Sequence, residues 1–239
     1  MENWSGKQVA FIGDSITQGV GSEKAYHQYL AEWLGLEALN YGVNGAQIAD
    51  MITLEHRLKV EHPNVGAVFL LGGTNDYNHG VPIGEFYRES REKVNHNGAM
   101  VMRLHRQYLF DEHTFCGRLN ILLRQLKIDF PRSQVVLMTP IHRGFASFGT
   151  DNVQPDELWA NAQDLYIDDY VRTLRHAADL WSLPLIDLFR NSGLLPILDE
   201  YAGDFHDPTT DRLHPNAAGH LRIARGIMAK MNEIAVWKA

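Results

Sequence analysis

The chain has 239 residues, with 22 Lys plus Arg against 29 Asp plus Glu and a formal charge of −7 with histidine neutral. That balance excludes a grip on nucleic-acid phosphates, which needs a basic face. A lone cysteine, Cys116, excludes an internal disulfide framework. The longest strictly apolar run, Ala67–Leu71, is far shorter than the ~20 residues that cross a bilayer. Residues 1–7 lack the basic-then-apolar pattern of a secretory leader, so the expected location is the cytoplasm. No repeat, linker or low-complexity tract divides the chain, and one domain over residues 1–239 is expected.

In chain order, short apolar runs alternate with helical patterns. Strands are predicted at Gln8–Ile12, Ala38–Val43, Ala67–Leu71, Gln134–Thr139 and Leu183–Leu188. Continuous apolar runs such as Ala67–Leu71 suit strands buried on both faces of a parallel sheet. Helices are predicted at Lys24–Leu34, Gln47–Leu58, Phe115–Leu126, Asp156–Trp181 and Asn216–Met231. Their apolar residues recur at helical spacing; Leu119, Leu122, Leu123 and Leu126 form one such stripe. The alternation predicts an α/β fold with a doubly wound five-stranded parallel sheet. Ligands bind such sheets at the carboxyl ends of the strands.

Those ends carry a set of reactive residues. Gly13-Asp14-Ser15-Ile16-Thr17 follows the first strand and Asn44-Gly45 the second. Gly73-Thr74-Asn75-Asp76 follows the third, and Asp211-Arg212-Leu213-His214-Pro215 precedes the last helix. These residue types meet the needs of acyl transfer. A serine hydroxyl needs a base to remove its proton, and His214 can serve while its imidazole is neutral. Asp211 can hold the second ring nitrogen and fix the tautomer. The backbone N–H groups of Ser15 and Gly45 and the amide of Asn75 can donate to an oxyanion. Asp14 and Asp76 are assigned to loop structure, as short acids that hydrogen-bond nearby amides. Each block alone reads as an ordinary capped turn or loop; their order at successive strand ends is what carries the chemistry.

Together these four blocks resemble those of the SGNH hydrolases, also called GDSL esterases/lipases, and they span residues 13–214 in that family's order. Ile16 stands where the motif name has leucine, a change that touches no reactive atom. The resemblance implies a flavodoxin-like three-layer α/β/α sandwich. It also implies a Ser15–His214–Asp211 triad, an oxyanion hole of Ser15, Gly45 and Asn75, and no cofactor. Competing motifs are weak. Gly-x-Ser-x-Gly is absent, Ser147 lies in a spacing one residue too long, and no phosphate loop or His-Glu-x-x-His is present. Cys116 sits within an apolar helical stripe and reads as core.

From Gly72 to Ser133 the chain runs 62 residues between two predicted strands, about twice a βαβ unit. The surplus, residues 83–113, is expected to form a helical cap or dimer contact beside the Asn75 loop. Tyr77, His79, His142, Arg143, Phe145 and Phe148 are candidates for the substrate pocket. The expected reaction is hydrolysis of small acyl esters, acetyl first, on a carbohydrate or similar small molecule. A lysophospholipase or acyl-thioesterase is the alternative, and a non-catalytic carbohydrate-binding module the alternative of another class. The expected partner is a small-molecule ester, with no nucleic acid, no metal and no stable membrane association; oligomeric state stays open.

Overall fold

The structure, a computed structural model, describes residues 4–234. Five parallel strands form the central sheet: β1 (Gln8–Gly13), β2 (Glu37–Gly42), β3 (Ala67–Leu71), β6 (Gln134–Met138) and β9 (Leu185–Ile186). Their order is β2-β1-β3-β6-β9, the flavodoxin-like doubly wound order, with its switch point between β1 and β3. The helices are α1 (Ser15–Gln18), α2 (Tyr26–Leu34), α3 (Ile48–Glu61), α4 (Thr74–Asn78), α5 (Phe115–Asp129), α6 (Ile167–Leu180), α7 (Leu188–Asn191) and α8 (Ala217–Met231).

Strand side chains alternate between two cores, as a pleated strand requires. Ala10, Ile12, Val68, Leu70, Val135 and Leu137 face α3, α5 and α6. Val9, Phe11, Phe69, Leu71, Val136 and Met138 face α2, α7 and α8. All five residues of β3 are buried, which is why its sequence is apolar without alternation. The three-layer α/β/α sandwich read from the sequence is therefore the fold.

Four expectations need correction. The helix predicted over Asp156–Trp181 begins only at Ile167. Ahead of it, the Asn161 carboxamide holds a turn by accepting from the backbone N–H of Gln163 and Leu165, and it donates to the Tyr77 carbonyl. Those local hydrogen bonds compete with helix. The last strand shrinks from Leu183–Leu188 to Leu185–Ile186, because Asp187 turns the chain into α7 by accepting from the N–H of Arg190. Third, residues 83–113 are not helical. They form a two-stranded antiparallel arm, β4 (Tyr87–His96) and β5 (Ala99–Tyr108). Its turn is Asn97-Gly98, both at positive φ (52° and 82°), the conformation of a two-residue hairpin turn with the right twist for the strands it joins.

A second, small antiparallel sheet borders the carboxyl edge of the main one. It contains β7 (Ala146–Ser147), β8 (Val153–Gln154), β10 (Phe205–Asp207) and β11 (Asp211–Pro215) in the order β10-β11-β7-β8. Residues 211–215, expected as a turn before the last helix, are thus a strand. Asn216 then starts α8 by accepting from the N–H of Ala218 and Gly219.

Candidate active site

The site is built where β1 and β3 part. β1 ends at Gly13, and Asp14 caps α1, its Oδ1 accepting from the Ile16 N–H at 3.0 Å. Ser15 is therefore the first residue of a helix, facing the sheet edge. β2 ends against the same helix: a Cβ on Gly42 would lie 2.1 Å from the Gln18 backbone nitrogen, so no side chain fits there. Beyond it Gly45 turns at φ +79°, a left-handed conformation that L residues resist. β11 brings in the remaining pair.

Ser15 Oγ lies 2.9 Å from His214 Nε2, and His214 Nδ1 lies 3.0 Å from Asp211 Oδ2. All three residues are nearly buried, at 3–4% exposure. Asp211 Oδ1 accepts from the N–H of Leu213 and of His214, both at 3.1 Å. Burial pushes the Asp211 carboxyl up, but its hydrogen bonds with His214 and the charge there outweigh this, and it lies below the usual carboxylate range. The carboxylate thus keeps its charge and can hold the proton on Nδ1, leaving Nε2 free to accept from the serine. A second imidazole shares it: His206 Nδ1 lies 3.1 Å from the same Oδ2. The sequence reading missed His206. It lies five residues ahead of Asp211, in a segment to which the sequence reading gave no element and no role.

Asn75 Nδ2 donates to the Ala46 carbonyl at 3.0 Å, which orients the amide and ties the Asn75 loop to the Gly45 turn. Asp76 reinforces that tie. Its Oδ2 accepts from the Ile48 N–H at the start of α3, and its Oδ1 pairs with Arg118 of α5 at 3.1 Å. Burial raises Asp76 to about 6 against those two partners. Asp14, also buried, is raised by burial to about 7, with its Ile16 hydrogen bond opposing; its Oδ2 has no hydrogen-bond partner. Both acids hold backbone amides in place.

Ser15, Gly45, Asn75 and His214 line one cleft of about 680 Å³, the size of a small-molecule site. Its polar wall is mostly carboxamide, from Asn44, Asn78, Asn152 and Gln154, with His79 and Asp151; among the described residues no Lys or Arg lines it. Of the predicted pocket residues, His79 and Phe148 are in this wall, the Phe148 ring 5.4 Å from that of His214. Four others are not. Tyr77 is buried and donates to the Trp159 carbonyl. His142 pairs with Glu157 and stacks on Phe189. Phe145 faces a separate hollow beside Pro196 and Arg212. Arg143 is buried behind the wall and donates to Gln154 Oε1 at 2.9 Å and Asn78 Oδ1 at 3.4 Å. It braces two cleft residues without reaching the cleft. A residue just past a strand end can point behind a site as easily as into it, and sequence carries no sign of which.

Among the described residues, no group of three or more His, Cys, Asp or Glu side chains could hold a metal ion, and no helix is long and apolar enough to cross a membrane.

The family model described as GDSL-like lipase/acylhydrolase matches residues 11–222. No curated protein sequence matches the chain significantly. Solved structures do. A Lactobacillus plantarum protein is 25% identical, with TM-score 0.74 over 97% of this chain and 99% of its own. A protein described as a possible lipase from Chitinophaga pinensis is 17% identical, with TM-score 0.71 over 95% and 98%. A variant of an acetylxylan esterase from Geobacillus stearothermophilus is 18% identical, with TM-score 0.58 over the whole of both chains.

Proposed function

Because the chain belongs to the GDSL-like lipase/acylhydrolase family, we propose that it is a serine esterase that removes small acyl groups, acetyl foremost, from a neutral hydroxylated compound such as a carbohydrate. The observation that carries this reading is the 2.9 Å contact between Ser15 Oγ and His214 Nε2 at the floor of a carboxamide-lined cleft. Ser15 attacks the ester carbonyl as His214 takes its proton. The oxyanion forms within reach of the Ser15 and Gly45 N–H groups and the Asn75 amide. His214 then protonates the leaving alcohol, and the acyl-serine remains. Water repeats the sequence with the same base and frees the acid. Asp211 stays ionised throughout and stabilises the imidazolium.

The composition of the wall supports this substrate class. Carboxamides donate and accept at once, which suits hydroxyl groups, and the described residues of the wall include no Lys or Arg to partner an anionic headgroup. The acetylxylan esterase among the similar structures supports an acetyl ester on a sugar. Val20, Leu213 and Phe148 are the large apolar residues that line the same cleft and support the second reading, a longer acyl chain on a lysophospholipid or thioester.

Ser15→Ala is expected to lower hydrolysis of p-nitrophenyl acetate by roughly 10³-fold or more with the melting temperature retained. Wild type, but not the variant, should be labelled by a fluorophosphonate. Retained activity in Ser15→Ala would refute the mechanism, and an unlabelled wild type would point to a binding module. A C2 to C12 acyl series run beside acetylated sugars decides the substrate: a C2 optimum is expected, and a C8–C12 optimum would favour the longer-chain reading.

A further inference from the structure

Two imidazoles meet on one carboxylate oxygen. Asp211 Oδ2 lies 3.0 Å from Nδ1 of His214 and 3.1 Å from Nδ1 of His206. A carboxylate that keeps its charge only accepts hydrogen bonds, so each ring presents an N–H to it. The Leu213 and His214 amides occupy Oδ1. Without His206, Oδ2 would be held by the same imidazole that it has to aim. His206 fixes that oxygen independently of His214.

Two features of the fold seat the ring there. β10 and β11 pair out of step: Phe205 stands opposite Pro215, while Asp207 stands opposite Asp211. An unbroken ladder would put His206 on the face away from Asp207 and Asp211. The irregularity turns its imidazole back onto Asp211, as bulges beside active sites re-aim side chains. On the other side is Gly21, in the turn that follows α1, the helix of Ser15. A Cβ on Gly21 would lie 2.8 Å from His206 Cβ and Cγ, so this glycine, at φ +75°, leaves the room that the ring needs. The His206 side chain is half-exposed and does not line the cleft. Neither core packing nor substrate contact accounts for its place.

Resting on the esterase reading above, we propose that His206 is a positioning residue for the hydrolysis, its Nδ1–H fixing Asp211 Oδ2 so that His214 Nε2 stays aimed at Ser15 Oγ. The chain of contacts runs from a half-exposed imidazole through a buried acid to the buried base. Loss of His206 leaves the cleft wall unchanged and lets the base drift. Proton transfer falls steeply once the base leaves the line of the nucleophile. The effect therefore belongs to kcat and not to KM.

Steady-state kinetics of the full chain on p-nitrophenyl acetate test it, with fluorophosphonate labelling beside them. His206→Ala is expected to lower kcat roughly tenfold, with KM within about twofold and the melting temperature retained. His206→Asn, whose amide can place an N–H where Nδ1 stands, should bring kcat back to within about threefold of wild type. His206→Leu, which fills the space without a donor, should not. If His206→Ala fails to fold, the Asn and Leu variants make the same comparison. In an Asp211→Ala background the loss of His206 should cost less than about twofold, because its effect passes through that carboxylate. A wild type that neither hydrolyses nor labels would sink the esterase reading and this inference together. With an active, labelled wild type, four results would each overturn the positioning role and leave the esterase reading standing. They are an unchanged kcat in His206→Ala, equal losses in the Asn and Leu variants, a change confined to KM, and a full loss in the Asp211→Ala background.

Discussion

Ser15 and His214 are 199 residues apart in sequence and 2.9 Å apart in space. At the scale of single residues the site depends on how firmly such distant groups are aimed. His214 is held through Asp211, which is itself held by two backbone amides. Asn75 is held through the Ala46 carbonyl, with its remaining N–H available to an oxyanion. Asn75→Ala should therefore lower kcat by ~10²–10³-fold with little change in KM, because the lost hydrogen bond strengthens only as negative charge develops. Steady-state kinetics on p-nitrophenyl acetate check it, and a change confined to KM would assign Asn75 to ground-state binding instead. These residues were legible in the sequence because their types are rare in combination, with Ser15 and Asn75 just past strand ends and Asp211 and His214 just ahead of the last helix. His206 and Arg143 were not legible. His206 reaches Asp211 only through the pairing of β10 with β11, and Arg143 stops behind the cleft wall, on Gln154 and Asn78, although its neighbours in sequence suggested that it lines the cleft.

At the scale of elements, three strand ends and one separate small sheet meet around Ser15. Asp76 links α4, α3 and α5 by one carboxylate, so the Gly45 turn and the Asn75 loop move as a unit. The arm is a different case. Its sequence alternates weakly and carries both charges, which reads as a solvated helix until Asn97-Gly98 is taken as a hairpin turn. None of its residues lines the cleft. Replacing residues 89–106 by a short Gly-rich turn should thus leave kcat/KM for p-nitrophenyl acetate within about twofold of wild type, since surface changes away from a site act weakly. A large loss would return the segment to the role of a cap. The helix predicted over Asp156–Trp181 overran because periodicity alone does not register the hydrogen bonds of Asn161, which need Tyr77 from another part of the chain.

At the scale of the whole molecule, buried titratable groups pull stability in opposite directions with pH. Asp14 and Asp76 are raised by burial to about 7 and about 6 from 3.8. The folded state therefore binds their protons more tightly than the unfolded chain does. Their contribution is full below about pH 4 and is lost as pH rises through 6 to 7. Buried His220 is lowered, to about 3, and His27 is lowered as well, both chiefly by burial. Their contribution is present above the ordinary imidazole value of 6.5 and is lost below it. Asp14→Asn keeps an acceptor for the Ile16 amide and removes the charge. It should raise the melting temperature at pH 8 by on the order of 5 °C and leave it nearly unchanged at pH 4. Equal shifts at both pH values would show that Asp14 ionises freely in the fold.

The sequence by itself determined the five-stranded α/β sheet and singled out Ser15, Gly45, Asn75, Asp211 and His214, which the structure brings to one cleft or to its edge. These follow from hydrophobic periodicity and residue chemistry, both local properties. Only the tertiary structure decided which way Tyr77, His142, Arg143 and Phe145 face, that His206 joins Asp211, that residues 83–113 form a ribbon and that the cleft wall is made of carboxamides. Each depends on which distant segments lie against one another, and a side chain's direction is chosen by those contacts, not by its neighbours in the chain.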